Sequence, residues 1–294
     1  SRDSGGRSDR DSGRVLSAPM AGLIALLSSA MWGSADYLAG RASRTRPVLL
    51  VLGGSQTAGL MAMLVIATVT AAWGAPRGYI GWAVLASICG SAGLALYYRA
   101  LASGTMGVVS PIAALGVLVP LGVGLADGER PTTLQMFGIV TALLGVVAAS
   151  GPEVHGDAGW LPVALAGGAA VLLGGALVGI SRGSEVSVVM TMTAMRVTTV
   201  TLMAIALLLL RRAVPLRSGD GRWLVAIGLL DVGANLAFGL ASTLGLLTLV
   251  SMFGSLYPVF TILLARWLDH ERLRPVQVAG VSLALLGVVA ISAG

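Results

Sequence analysis

The chain has 294 residues, of which 56% are hydrophobic and 11% charged, and its mean hydropathy is +0.89. Average soluble proteins carry roughly 25% charged residues, so this composition excludes a soluble fold. The net charge of +6 rests on 19 basic residues, all of them Arg, and no basic run is long enough to grip nucleic acid.

Residues 1–17 are rich in Ser, Gly, Arg and Asp and are predicted to form a disordered polar tail. Ten apolar segments follow, at 20–40, 47–73, 79–101, 106–126, 133–151, 159–180, 187–210, 223–244, 246–265 and 275–293. A membrane-spanning helix needs about 20 apolar residues, and only a helix satisfies its own backbone inside lipid. A barrel would need alternating polarity, whereas these runs are nearly continuous. Polar and turn residues fill the breaks at Arg41–Pro47, Asp127–Pro131, Gly151–Gly156 and Arg211–Arg222. Ten spans of about 22 residues leave only short loops and no room for a soluble catalytic domain. The predicted fold is therefore an all-α integral membrane protein.

Catalytic chemistry lacks parts. Cys89 is the single cysteine and sits in an apolar run, as a small packing residue would. His155 and His270, the only histidines, fall in predicted loops. A zinc site or a Ser-His-Asp triad at membrane depth is not expected, nor is any cofactor.

The chain repeats itself. At an offset of 142, Glu129-Arg130 falls on Glu271-Arg272, Gln135 on Gln277 and Gly138 on Gly280. The run Ala142-Leu143-Leu144-Gly145-Val146-Val147-Ala148 recurs unchanged from Ala284 to Ala290. Two halves of five helices result, a first over 18–151 and a second over 152–294. An odd number of spans per half forces opposite orientations, the inverted-repeat architecture used by transporters.

Several motifs carry a resemblance. Trp32-Gly33-Ser34 lies in the first helix, and Tyr98-Arg99-Ala100-Leu101 closes the third. Ser110-Pro111-Ile112-Ala113-Ala114 is followed by Gly128-Glu129-Arg130, and Ser255-Leu256-Tyr257-Pro258 precedes Glu271-Arg272. In their order and repetition these motifs resemble the EamA group of the drug/metabolite transporter superfamily, over essentially everything after the tail. His270 departs from the pattern where the first half has Gly128, and the Gly-rich sixth helix matches Trp32-Gly33-Ser34 poorly.

The resemblance implies ten transmembrane helices in two inverted repeats around a central cavity. It implies secondary active transport of a small metabolite or drug, amino-acid-like or cationic, by alternating access. The expected direction is export, driven by protons or by exchange. Alternatives are carriage of lipid-linked or sugar substrates, and a non-transporting scaffold or sensor with the same fold. The expected partners are a small-molecule substrate, the bilayer and protons, with the chain acting as monomer or homodimer. Arg-only basic usage fits a GC-rich bacterium, hence a multi-pass protein of the bacterial cytoplasmic membrane. The resemblance also implies cytoplasmic termini. That places Arg41, Arg44, Arg46, Arg211, Arg212, Arg217, Arg222, Arg272 and Arg274 outside, against the preference of the positive-inside rule.

Ionisable and polar residues at membrane depth are the site candidates. Asp36, Arg196, Asp231 and Asn235 qualify, and Gln56 is equally awkward in lipid. A desolvated carboxylate takes up a proton more readily, so Asp36 or Asp231 could couple protons to transport. The alternatives are a structural Arg196–Asp231 pair and a solvated or capping Asp36. Arg99 could hold a substrate carboxylate or snorkel to headgroups. Tyr97 and Tyr98 could line the cavity or join an interfacial belt. Trp32 lies away from both faces and is a candidate cavity wall. Pro111, Pro120 and Pro258 free the carbonyls of Gly107, Gly116 and Gly254, which suggests breaks beside Ser110 and Tyr257, or plain structural kinks. Glu129-Arg130 and Glu271-Arg272 read as fold residues, and Gly175 and Gly179 as a close-packing pair.

Overall fold

The computed structural model describes residues 5–43, 45–103, 109, 112–149, 160–209, 220–269 and 274–294, and all regular elements among them are helices. In chain order they are α1 (Gly5–Ser43), α2 (Val48–Val69), α3 (Tyr79–Ser103), α4 (Leu118–Ala126), α5 (Thr133–Ala149), α6 (Trp160–Leu209), α7 (Asp220–Leu244), α8 (Leu247–Gly254), α9 (Tyr257–Leu268) and α10 (Pro275–Ala293). Six helical spans are long and apolar enough to cross a membrane: Leu49–Val69, Tyr79–Ala100, Trp160–Leu209, Asp220–Leu244, Leu247–Leu268 and Pro275–Ala293.

Three boundaries differ from the sequence reading. Helix α1 starts at Gly5, inside the stretch that composition assigns to disorder, and carries Pro19 within it. The loop expected between 180 and 187 is absent, because α6 continues through Arg182 and breaks only at Ser187, whose backbone is extended (φ −163°, ψ 112°). There the Ser187 hydroxyl accepts the Met190 N–H at 3.2 Å, capping the helix that follows. Arg182 is held by Asp127 and Glu185, so its charge does not force a loop. Finally, the segment expected at 246–265 is two helices, α8 and α9, with Pro258 in the first turn of α9. Proline's fixed φ and missing N–H suit that position.

Side-chain contacts mark the two ends of the bundle. Asp127–Arg182 and the bonds of Glu129 to Leu247 and Thr248 define one end. Arg41–Asp269 and Arg46–Asp220 define the other. Outward-facing large side chains such as Leu144, Leu285, Leu286 and Val289 are exposed, while Phe238, Met63, Ile180, Met192 and Met252 are enclosed. Small residues let helices approach closely where no water is present to drive them together.

One such close contact joins α5 to α10. A methyl group on Gly287 would lie 2.7 Å from Cα of Ala142, and one on Gly145 would lie 2.6 Å from Cα of Ala284. Likewise Gly138 faces Gly287 and Ile291, while Gly280 faces Ala148 and Ala149. Position rises along one helix as it falls along the other, so the two run antiparallel. The contacts are also reciprocal: the offset of 142 turns the 142–287 contact into 284–145. The repeated Ala-Leu-Leu-Gly-Val-Val-Ala segment thus packs against its own copy, as in a two-fold interface.

Candidate functional site

Two clusters collect most of the site candidates. The first is a buried polar knot between α2, the second segment of α6, and α7. Arg196, with only 4% of its side chain exposed, pairs with Asp231 at 2.8 Å. Its Nη1 also donates to the Gln56 side-chain oxygen. Gln56 Nε2 donates to Asp231 at 3.3 Å, and Asn235 Nδ2 donates to the other Asp231 oxygen at 3.1 Å. Gly59 and Gly228 let α2 and α7 come together here, since a methyl group on Gly228 would lie 3.0 Å from the Gly59 nitrogen. The structural pair foreseen for Arg196 and Asp231 is therefore present. Asp231 keeps 24% of its side chain exposed, so the knot has one edge open to a recess.

The second cluster surrounds that recess. Asp36 follows Ser29 by seven residues and Trp32 by four, so all three share one stripe of α1. Ser29 is buried and donates to the Gly254 carbonyl at 3.1 Å, so this stripe points inward. Exposed Leu23 and Leu27 lie on the opposite side of the helix. Asp36 is nevertheless exposed, so it faces an open internal space and not a packed core. Among the described residues none forms an ion pair or hydrogen bond with it. Asp231, Tyr98 and Tyr257 all lie within its electrostatic range. Trp32 supplies an aromatic wall, with its ring centroid 5.7 Å from Phe238 and 6.5 Å from Tyr257 in an edge-on contact. Tyr97 and Tyr98 stand with ring centroids 6.0 Å apart, Tyr98 being the more exposed.

Other candidates stand elsewhere. Arg99 is exposed near the end of α3. Pro120 lies in α4, directly after the 3-10 turn Leu115–Val117, which loosens the helix there. Ser110, Pro111, His155, His270 and Glu271-Arg272 lie outside the described residues. The carbonyl of Gly254, freed by Pro258, is satisfied by Ser29 and not by a cavity. Gly179 is a close-approach site against Trp82 and Ala86, while Gly175 makes only an ordinary contact with Cys89.

Sequence reasoning missed several partners. Phe238 stacks on Trp32, yet it is one apolar residue among many in α7. Glu129 accepts the Leu247 N–H at 2.6 Å and the Thr248 N–H at 2.9 Å, capping α8 across the two halves of the chain. Its signal was the placement of a carboxylate at a helix end, where such groups meet unpaired N–H donors.

The sequence profile of the EamA-like transporter family matches residues 19–151 and again 160–293. One solved structure, described as "Crystal structure of protein", superposes with a TM-score of 0.78 over 93% of this chain and 96% of that one, at 19% identity. In all, 29 solved chains match significantly. No curated protein gives a significant match.

Proposed function

On the premise that the chain belongs to the EamA-like transporter family, matched once in each half, we propose that it moves a small cationic or amino-acid-like compound across the membrane. Transport is secondary active export by alternating access, with proton exchange at Asp36, across the cytoplasmic membrane of a bacterium. The observation that carries it is the Asp36 carboxylate. It lies on the inward stripe of α1, exposed to the recess, beside Trp32 and within range of Tyr98 and Tyr257. A carboxylate one helical turn from an aromatic ring suits a cation, which gains Coulomb attraction from the one and cation–π attraction from the other. Asp231 has its counter-ion in Arg196, so Asp36 is the carboxylate left to a ligand.

The proposed transporter crosses the membrane ten times, as two inverted repeats. Helix α6 is about 75 Å long at 1.5 Å per residue, against a hydrocarbon core of about 30 Å, and its break at Ser187 divides it into two crossings. Helices α8 and α9 together make one. With α1, α2, α3, α5, α7, α10 and the helix Ile112–Ala126, the spans number ten. The antiparallel, reciprocal packing of α5 on α10 supports the inversion. Such an odd-span repeat leaves both termini on one side, here taken as cytoplasmic.

The test is flux into proteoliposomes under an imposed pH gradient, screened over amino acids, polyamines and cationic drugs. Gradient-driven flux of one cationic class, lost in Asp36→Asn, is the expected result. Flux with the same gradient dependence in Asp36→Asn would overturn the role of Asp36. Ligand binding without flux would point to a sensor with a transporter fold.

A further inference from the structure

The end of the bundle marked by Arg41–Asp269 holds a cavity of about 360 Å³ between the end of α1, the connection to α2 and the start of α7. Asp36, Trp32, Asp231 and Tyr257 are not among the residues of its wall. Among the described residues, three guanidinium groups line it, from Arg41, Arg46 and Arg222, with Asp220 as the one carboxylate. Asp220 is buried and bonded to Arg46 Nε at 2.7 Å. Arg41 Nη1 reaches Asp269 at 2.7 Å and the Tyr37 hydroxyl at 2.9 Å. Among the described residues, the three guanidiniums face these two carboxylates, an excess of one positive charge. Each guanidinium carries five donors in a planar fork, which matches the oxygens of a phosphate.

The rest of the wall is apolar. Leu38, Leu50, Val51 and Leu224 continue from the charged part, and Trp223 stands under Arg222, whose guanidinium carbon is 5.2 Å from the ring centroid. Leu50 and Val51 belong to the first turn of α2, whose N-cap Pro47 offers no side-chain acceptor to the helix amides. A helix start of that kind favours a nearby anion. The cavity is thus cationic on one side and greasy on the other. It also sits where α1 ends and α2 and α7 begin, beside the exposed Trp223, a residue type that favours the headgroup layer.

We propose that this cavity binds the headgroup of an anionic phospholipid, with the phosphodiester among Arg41, Arg46 and Arg222 and the upper acyl chain against Leu50 and Leu224. A free phosphate would satisfy the guanidiniums but leave the apolar wall unused, so the two-part lining favours a lipid. The bound lipid would bridge the first half of the chain, through Arg41 and Arg46, to the second, through Arg222.

The experiment uses delipidated full-length protein. Thermal unfolding and native mass spectrometry are run with phosphatidylglycerol, phosphatidylcholine or inorganic phosphate. The expected result is retained phosphatidylglycerol and a raised midpoint, with no matching effect of phosphatidylcholine. Arg222→Gln leaves both ion pairs standing, so its midpoint in phosphatidylcholine should match that of the parent. Its affinity for phosphatidylglycerol should fall about tenfold, the loss of one charge-assisted contact. Arg41→Gln/Arg222→Gln should abolish the difference between the two lipids. Equal responses to both lipids, an undiminished response in the double variant, or equal stabilisation by inorganic phosphate would each overturn the proposal.

Discussion

Ser29 on α1 donates its hydroxyl to the carbonyl of Gly254 on α8, the carbonyl that Pro258 deprives of its helical donor. One hydroxyl therefore repairs a helix break 225 residues away in sequence. The repair is made in the apolar interior, where no water can take over.

Ser29→Ala should destabilise the protein by about 1–2 kcal/mol, since it leaves a buried carbonyl unpaired. Pro258→Ala restores an N–H to that carbonyl. The double variant Ser29→Ala/Pro258→Ala should therefore lose less than the two single losses added together. Unfolding midpoints in detergent for the four proteins read the coupling, and strict additivity would break the link between the two residues.

Removing one partner of the Arg196–Asp231 pair has a larger effect. Asp231→Asn strands a guanidinium that is almost wholly enclosed. A loss of about 3–5 kcal/mol is expected for an orphaned buried charge. Arg196→Met should be milder, because Asp231 is partly exposed to the recess and can be hydrated there. The double variant should recover part of the loss. Thermal unfolding of the set checks the order.

The glycines of α5 and α10 should behave as equivalents. Gly145→Val and Gly287→Val each push a side chain into the backbone of the facing helix. Overpacking of this kind costs about 1–3 kcal/mol. Gly122→Ala is the control, because nothing lies within 4 Å of the added methyl. Similar losses at 145 and 287, with none at 122, are the expected pattern in unfolding midpoints.

Glu129→Gln keeps the shape of the α8 cap and removes its charge, whereas Glu129→Ala removes the acceptor. The alanine variant should lose about 1–3 kcal/mol, the range for a charge-assisted bond to backbone N–H. Hydrogen exchange at Leu247 and Thr248 should quicken in both variants, and more in Glu129→Ala. Unchanged protection at those amides would remove the cap from the account.

Much of this was legible in the chain, and the reasons are specific. The duplicated segment announced a repeat because Glu, Arg and Gln recur at one offset, and its glycines turned out to be the contact points. The Arg196–Asp231 pair was one of two readings open in the sequence, since two lone charges in lipid seek each other. The break at Ser187 was misplaced because Arg182, Gly183, Ser184 and Glu185 look like a loop. Asp127, from another part of the chain, neutralises Arg182 and lets the helix run on. Phe238 could not be singled out, because in an apolar chain an aromatic partner has no local signature. Arg46 and Asp220 were both visible as polar boundary residues, but their meeting depends on a fold that brings together ends 174 positions apart.

The pairing of α5 with α10 also has a consequence in time. Helix α5 is complete at Ala149, and its partner begins only at Pro275. At roughly 5–20 residues per second, a ribosome needs on the order of 6–25 s to make the intervening chain. Throughout that interval the groove at Gly138 and Gly145 has only lipid, or the insertion machinery, to cover it. This contact therefore forms only once α10 is made, and a chain truncated before residue 275 leaves that groove vacant for good.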